Sequence, residues 1–343
     1  MRGIEIKTGK PYRVMIKNGL LSDCGRLTAE IHPHCRLMLV SDDIVFPLYG
    51  EKVKRSYQEA GFAVHSFIFS NGEHAKTMDT VTRLLEKMAG EGITRSDVIV
   101  ALGGGVTGDI AGFVAAIYLR GISYVQIPTT FLAAIDSSVG GKTGVNLTAG
   151  KNLTGAFHQP IAVFCDPGTF ATLPPEIFRD GLCEAVKYGC IASQALFDTL
   201  SSKKYLELSD IVAACVKIKC DIVERDEFDR GERQLLNFGH TPGHAIEKLS
   251  GYTISHGHAV GIGMVIMGGK FSKNIRTLLN DHDIDTCCPY SAKELAAAAL
   301  SDKKRNGGRI TLVLLENIGK ACLKEMDIDE LEAYFSVGLE GTV

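Results

Sequence analysis

No CxxC pair occurs among the ten cysteines, which are scattered, with only Cys287 and Cys288 adjacent. Structural-zinc spacing is therefore missing, and so is the pattern of a disulfide framework. The N-terminus carries no secretory signal, so reduced thiols and a cytoplasmic location are expected. No apolar stretch approaches the ~20 residues of a spanning helix, because Gly, Asp or Arg interrupts each run, and no membrane partner is expected. A long basic run is also lacking, the formal charge is -3 and the pI is about 6.4, which argues against nucleic acid as the partner. A small anionic ligand stays open, since a local cluster of lysines leaves no trace in the total.

What is present fits two domains, the default for 343 residues. Up to about residue 165, β-rich runs such as "RLMLVSDD", "AVHSFIFS", "DVIVALGGG" and "SYVQIPTT" alternate with helical patterns. That order predicts a Rossmann-like α/β N-terminal domain with a parallel sheet covered by helices. From about residue 170 the patterns read as successive helices, with one late β-like pair around "RITLVLLENIGKACLKEM". The expected division is residues 1–166 and a mostly α-helical 167–343, with the Pro-rich "DPGTFATLPPE" at the junction. Neither an internal repeat nor a low-complexity segment stands out.

In "VIVALGGGVTGDIAG", Gly103, Gly105 and Gly108 have G-x-G-x-x-G spacing between an apolar strand and a helix. Glycines there let the backbone approach a pyrophosphate, and the helix N-terminus offers free N–H groups to it. A tight strand-to-helix turn without a ligand would read the same way. No acid follows about 20 residues later to hold a ribose, and Asp42, ending an earlier strand, is the alternative. "DSSVGGKTGVN" ends like a phosphate-binding loop, but Asp136 stands where that loop requires its first glycine, which excludes it. What remains is a glycine-rich turn presenting Lys142 beside Asp136, followed by Lys151 and Asn152. Lysines and an amide among glycines suit an anionic, hydroxylated ligand, and solvated surface lysines would look alike.

Four of the ten histidines, His240, His244, His256 and His258, crowd "NFGHTPGHAIEKLSGYTISHGHAVGIG". A zinc-peptidase motif fails, because Thr241 stands where Glu is required. Thr241 and Pro242 resemble an N-cap and first helical position, placing His240 at a helix entrance and His244 about one turn inside. His256 begins a second helical pattern, so two imidazoles at adjacent helix entrances can converge. A catalytic zinc site adds a carboxylate to such a pair, and the best candidate is Glu184 in "RDGLCEAVKYG", with Lys187 on the same face. Spacing leaves His258 and Glu247 open as ligands, and an exposed Glu–Lys pair with ordinary polar histidines is the plain alternative.

These segments, with "GKNLTGAFHQP", "RQLLNFGHTPGHAIE" and "DKKRNGGRITLVLLENIGK", resemble the 3-dehydroquinate synthases, within the sugar phosphate cyclases, in order and over nearly the whole chain. The resemblance implies an NAD-binding N-terminal domain and a helical domain holding a divalent metal, usually zinc, with cobalt as the alternative. By motif position, Glu184, His240 and His256 resemble the metal ligands. Asp42, Glu73, Lys76, Gly104, Gly105, Asp109, Thr129, Thr130 and Lys151 resemble NAD contacts. Asp136, Lys142, Asn152, Lys187, Lys219, Arg233, Asn237 and His244 resemble substrate contacts, with Lys303 or Lys304 reaching the phosphate. Arg120 resembles the arginine that crosses into a neighbouring subunit's site, which implies a homodimer. The family usually has Glu at His258, commonly an apolar residue at Pro242, and in some members an amide at Ile44. The implied reaction takes 3-deoxy-D-arabino-heptulosonate 7-phosphate to dehydroquinate and phosphate. Its course is oxidation of a ring hydroxyl by NAD, loss of phosphate, return of the hydride, ring opening and aldol closure. Rivals are another sugar phosphate cyclase, a metal-dependent polyol dehydrogenase and a non-catalytic sensor.

Overall fold

The structure, a computed structural model, describes residues 1–202, 207–300 and 308–340. Its chain divides into two units, Met1–Leu173 with Leu208–Glu224, and Pro174–Glu207 with Arg225–Val343. The first break, after Leu173, falls inside the Pro-rich stretch.

The first unit contains strands β1 (Arg2–Ile6), β2 (Tyr12–Ile16), β3 (Arg36–Asp42), β4 (Ala63–Phe69), β5 (Val98–Gly103), β6 (Ser123–Pro128), β7 (Lys142–Leu147), β8 (Gly150–Phe157) and β9 (Ala162–Cys165). Seven of them form a sheet in the order β1-β2-β9-β6-β5-β3-β4, in which only β1 and β2 pair antiparallel. Side chains alternate between two cores, as the strand period requires. Leu37, Leu39, Val98 and Val100 join one cluster with Leu20, Val53 and Tyr57, while Met38, Val40, Ile99 and Ala101 join the other with Leu84, Ile110 and Val114. Helices α1 (Cys24–Ala29) and α2 (Glu51–Glu59) supply the first cluster, and α3 (Met78–Gly90) and α4 (Gly105–Ile117) the second. This double burial explains why the strands read as continuous apolar runs.

Two features differ from the sequence reading. Lys142 begins a strand and does not sit in a turn: positive φ at Gly140 (95°) and Gly141 (68°) completes the turn before it, and β7 and β8 then pair as a hairpin. Residues 208–224, expected with the helical half, pack in the first unit as most of α7 (Leu208–Arg225). Arg2 pairs with Asp210, Lys7 N donates to Glu224 Oε1 at 2.7 Å, and Lys219 pairs with Asp136, so α7 is tied to β1 and to the segment after β6.

The second unit is helical: α5 (Pro175–Ala192), α6 (Gln194–Ser201), α8 (His240–Leu249), α9 (His256–Met267), α10 (Ser272–Asp281), α11 (Ala292–Leu300) and α12 (Leu331–Glu340). The late β-like pair forms the antiparallel hairpin β10 (Arg309–Asn317) and β11 (Lys320–Asp327). α9 is its hub, with Val260, Ile262, Met264, Val265 and Ile266 at most 1% exposed. A Cβ on Gly263 would lie 2.0 Å from the Gly239 carbonyl oxygen, so only glycine lets α9 lie this close to the start of α8. No cysteine is paired in a disulfide, and no helix among the described residues is long and apolar enough to cross a membrane.

Candidate active site

In the first unit the chain reverses direction across the sheet between β3 and β5, the switch point where open α/β sheets bind ligands at their carboxyl ends. Asp42 ends β3, Gly104 and Gly105 join β5 to α4, and Thr129 and Thr130 follow β6, so these residues gather at one edge. A Cβ on Gly108 would lie 2.6 Å from Gln126 Oε1, the close helix–strand packing expected of the third glycine in the fingerprint. The Asp42 carboxylate accepts the N–H groups of Ile44 (3.0 Å) and Val45 (2.8 Å) and the Thr107 hydroxyl (3.4 Å), which orients it at the strand end.

Buried Lys76 joins this edge to the hairpin: its Nζ lies 2.6 Å from Asp109 Oδ2 and 2.5 Å from Asn152 Oδ1. Burial pushes the Asp109 carboxyl above its usual range, against the pull of the Lys76 ammonium. Glu73 Oε1 accepts from Asn146 Nδ2 at 2.7 Å, and Lys151 and Asn152 lie on β8. Asp136 is held by buried Lys219, whose Nζ also donates to the Asp136 carbonyl at 2.7 Å. Lys142 is exposed at the start of β7. Arg120 stands exposed in a turn whose Leu119 (φ 49°) and Arg120 (φ 70°) both occupy the left-handed region, a strained presentation for non-glycine residues.

In the second unit α5, α8 and α9 bring Glu184, His240 and His256 together, their ligand atoms all within 4.8 Å of one another. His240 Nε2 and His256 Nε2 each lie 3.6 Å from Glu184 Oε1. That is too long for a hydrogen bond, yet a tetrahedral ion with bonds of about 2.0–2.2 Å separates its ligand atoms by roughly 3.4 Å. Each imidazole is aimed from behind. His240 Nδ1 lies 3.1 Å from the Phe238 carbonyl, which can only accept, so Nδ1 carries a proton and Nε2 faces Glu184. His256 Nδ1 lies 3.0 Å from Glu247 Oε2, the carboxylate–histidine arrangement that orients metal ligands.

Charge in this cluster is finely divided. Glu184 and Lys187, both 1% exposed, form a buried ion pair. Burial, reinforced by the Lys187 ammonium, holds His240 down to about 3, so its imidazole is neutral. Burial also pulls His256 down, but the Glu184 and Glu247 carboxylates outweigh it and hold the ring at about 10. Two carboxylates thus demand positive charge at one point, which a divalent cation meets by displacing a proton. The residues fit such an ion.

Of the two ligands left open by spacing, Glu247 stands behind His256, and His258 turns elsewhere, its Nε2 2.6 Å from the Asp285 carbonyl. Thr241 is not the N-cap. α8 begins at His240 after Gly239, whose φ of 77° a glycine adopts without strain, so the helix starts two residues earlier than the Thr–Pro signal suggests. His244 lies one turn on, its ring 5.4 Å from that of His240 and 5.9 Å from that of His256. Asn237, His240 and His244 line a cavity of about 580 Å³ with Gln234 and Arg309, two residues that the motifs did not single out. Arg233, 2% exposed, donates through Nη1 to the Glu227 carbonyl at 2.6 Å. Lys303 and Lys304 lie outside the described residues.

Over nearly its whole length the chain shares its fold with sugar phosphate cyclases. A structure of 2-deoxy-scyllo-inosose synthase complexed with carbaglucose-6-phosphate, NAD+ and Co2+ superimposes with a TM-score of 0.88 at 27% identity, covering 98% of this chain and 99% of that one. A 2-epi-5-epi-valiolone synthase from Streptomyces hygroscopicus with NAD+ and Zn2+ gives 0.84 at 27% identity, over 96% and 97%. Family models then narrow the class, since 3-dehydroquinate synthase N-terminal matches residues 66–180 and 3-dehydroquinate synthase C-terminal residues 181–305. The 3-dehydroquinate synthase of Clostridium acetobutylicum is 40% identical over 98% of this chain and 100% of its own length. The chain belongs to the 3-dehydroquinate synthase family.

Proposed function

We propose that the chain converts 3-deoxy-D-arabino-heptulosonate 7-phosphate to 3-dehydroquinate and phosphate, in the shikimate route to aromatic amino acids, as a cytoplasmic homodimer. The observation that carries this is the convergence of Glu184, His240 and His256 in a chain whose relatives share that activity by name. When bound, NAD would supply hydride-transfer chemistry, and a divalent cation, zinc or cobalt, would supply Lewis acidity at a substrate hydroxyl.

The chain's own residues supply binding and orientation. Glu184, His240 and His256 hold the cation, and Asp42, Glu73, Lys76, Gly104, Gly105, Asp109, Thr129, Thr130 and Lys151 hold NAD. Lys142, Lys187, Lys219, Arg233, Lys303 and Lys304 match the carboxylate and phosphate of the substrate with charge, while Asp136, Asn152 and Asn237 meet its hydroxyls. Arg120 completes the neighbouring subunit's site. The phosphate serves as its own base, so the protein's share is placement, worth several kcal/mol of barrier. His244 donates a hydrogen bond, or passes a proton, beside that phosphate.

The test is to incubate purified protein with the heptulosonate phosphate, zinc and a catalytic amount of NAD while following inorganic phosphate. Phosphate release matching dehydroquinate, without net NADH, is the expected result. Accumulating NADH would mark a polyol dehydrogenase, turnover of a different sugar phosphate would mark another cyclase, and binding without phosphate release would mark a sensor.

A further inference from the structure

We propose that Asp180 is a positioning residue for the cation centre: by capping α9 from α5, it sets the register that keeps His256 opposite Glu184. This rests on reading Glu184, His240 and His256 as the cation's holders.

The start of α9 lacks its own cap. Ser255 occupies the N-cap position but makes no local side-chain cap, and the residue three places on, where a capping box needs Glu or Gln, is His258. Asp180 substitutes from another helix. Ser255 Oγ donates to Asp180 Oδ1 at 2.6 Å, and the His258 backbone N–H donates to the same oxygen at 3.1 Å. One carboxylate oxygen thus accepts the third N–H of α9, as a capping side chain would, holds the Ser255 hydroxyl as well, and places negative charge at the positive end of α9. The His258 ring is turned away, held by the Asp285 carbonyl.

Asp180 sits four residues before Glu184 on α5, so both side chains leave the same helix face. The two helices touch backbone to backbone there, since a Cβ on Gly257 would lie 2.4 Å from Asp180 Cα and carbonyl oxygen. His256, between Ser255 and Gly257, is therefore clasped on both sides to α5, the helix that supplies Glu184. A cation tolerates only about 0.2 Å of error in each bond, so the clasp controls whether the three ligands fit one ion.

The test uses the full chain. Zinc affinity is measured by chelator competition, and the visible absorption of the cobalt-loaded protein reports ligand geometry, for the wild type and for Asp180→Ala, Asp180→Asn and Ser255→Ala. Asp180→Ala is expected to bind zinc roughly 10–100-fold more weakly with an altered cobalt spectrum. Asp180→Asn keeps an oxygen acceptor for both donors and is expected within about threefold of wild type, and Ser255→Ala loses roughly threefold to tenfold. The asparagine rescue separates the clasp from a general loss of packing, and Ser255→Ala decides the matter if Asp180→Ala does not fold. Wild-type affinity and spectrum in Ser255→Ala and in a folded Asp180→Ala would overturn the proposal. A wild-type chain that binds no zinc would instead refute the ligand reading on which it stands.

Discussion

The two units treat buried charge in opposite ways. In the first, each buried ammonium is closed by an anion: Lys76 lies 2.6 Å from Asp109, and Lys219 pairs with Asp136. In the second, Glu184 meets Lys187 on one oxygen while its other oxygen faces two imidazole nitrogens, each at 3.6 Å. A closed pair holds protein together and presents a fixed charge. Three donor atoms converging without hydrogen bonds among them form a cradle, and the groups behind them, the Phe238 carbonyl and Glu247, keep it aimed. Pairing thus belongs to the proposed NAD and substrate contacts, and convergence to the proposed cation.

Substitutions can pull the two apart. The largest effect is expected for His240→Ala, which should lose stoichiometric zinc and activity together while circular dichroism and NAD binding persist; retained zinc, measured by elemental analysis, would refute its role as a ligand. Next is Lys76→Ala in the first unit. Leaving the half-buried Asp109 without its cation should cost about 2 kcal/mol of stability and weaken NAD binding, with zinc content unchanged. Calorimetry and metal analysis on one sample would check both halves. The smallest is Lys142→Ala, exposed and at the edge of the hairpin, which should weaken substrate binding by roughly tenfold and NAD binding less. Separate titrations test it, and equal losses would place Lys142 outside the substrate contacts.

The sequence carried much of this, for reasons that can be located. β5 and the glycines after it were legible because a doubly buried strand and a close helix–strand contact each dictate residue type at fixed spacing. His240 and His256 were legible because two helix starts bring them near each other. What escaped depends on which distant surfaces meet. The apolar stripe of α7 says that it packs, but not that it packs beside β1. Gly239, not Thr241, precedes the first turn of α8, and its carbonyl lies against Gly263 of α9, a contact between residues far apart in the chain. Whether Glu247 or His258 serves the centre depends on which face of each helix turns inward, and the cap from Asp180 spans residues 180 to 258. Gln234 and Arg309 join the cavity only through the β10–β11 hairpin and the short helical turn before α8.

Anomalous diffraction at the zinc edge, from crystals of zinc-loaded protein, addresses the cradle most directly. One strong peak within about 2.0–2.2 Å of Glu184 Oε1, His240 Nε2 and His256 Nε2 is the predicted result. A peak among His244, Glu247 and His256, the other cluster of potential ligands among the described residues of this unit, or no peak at stoichiometric occupancy, would contradict it.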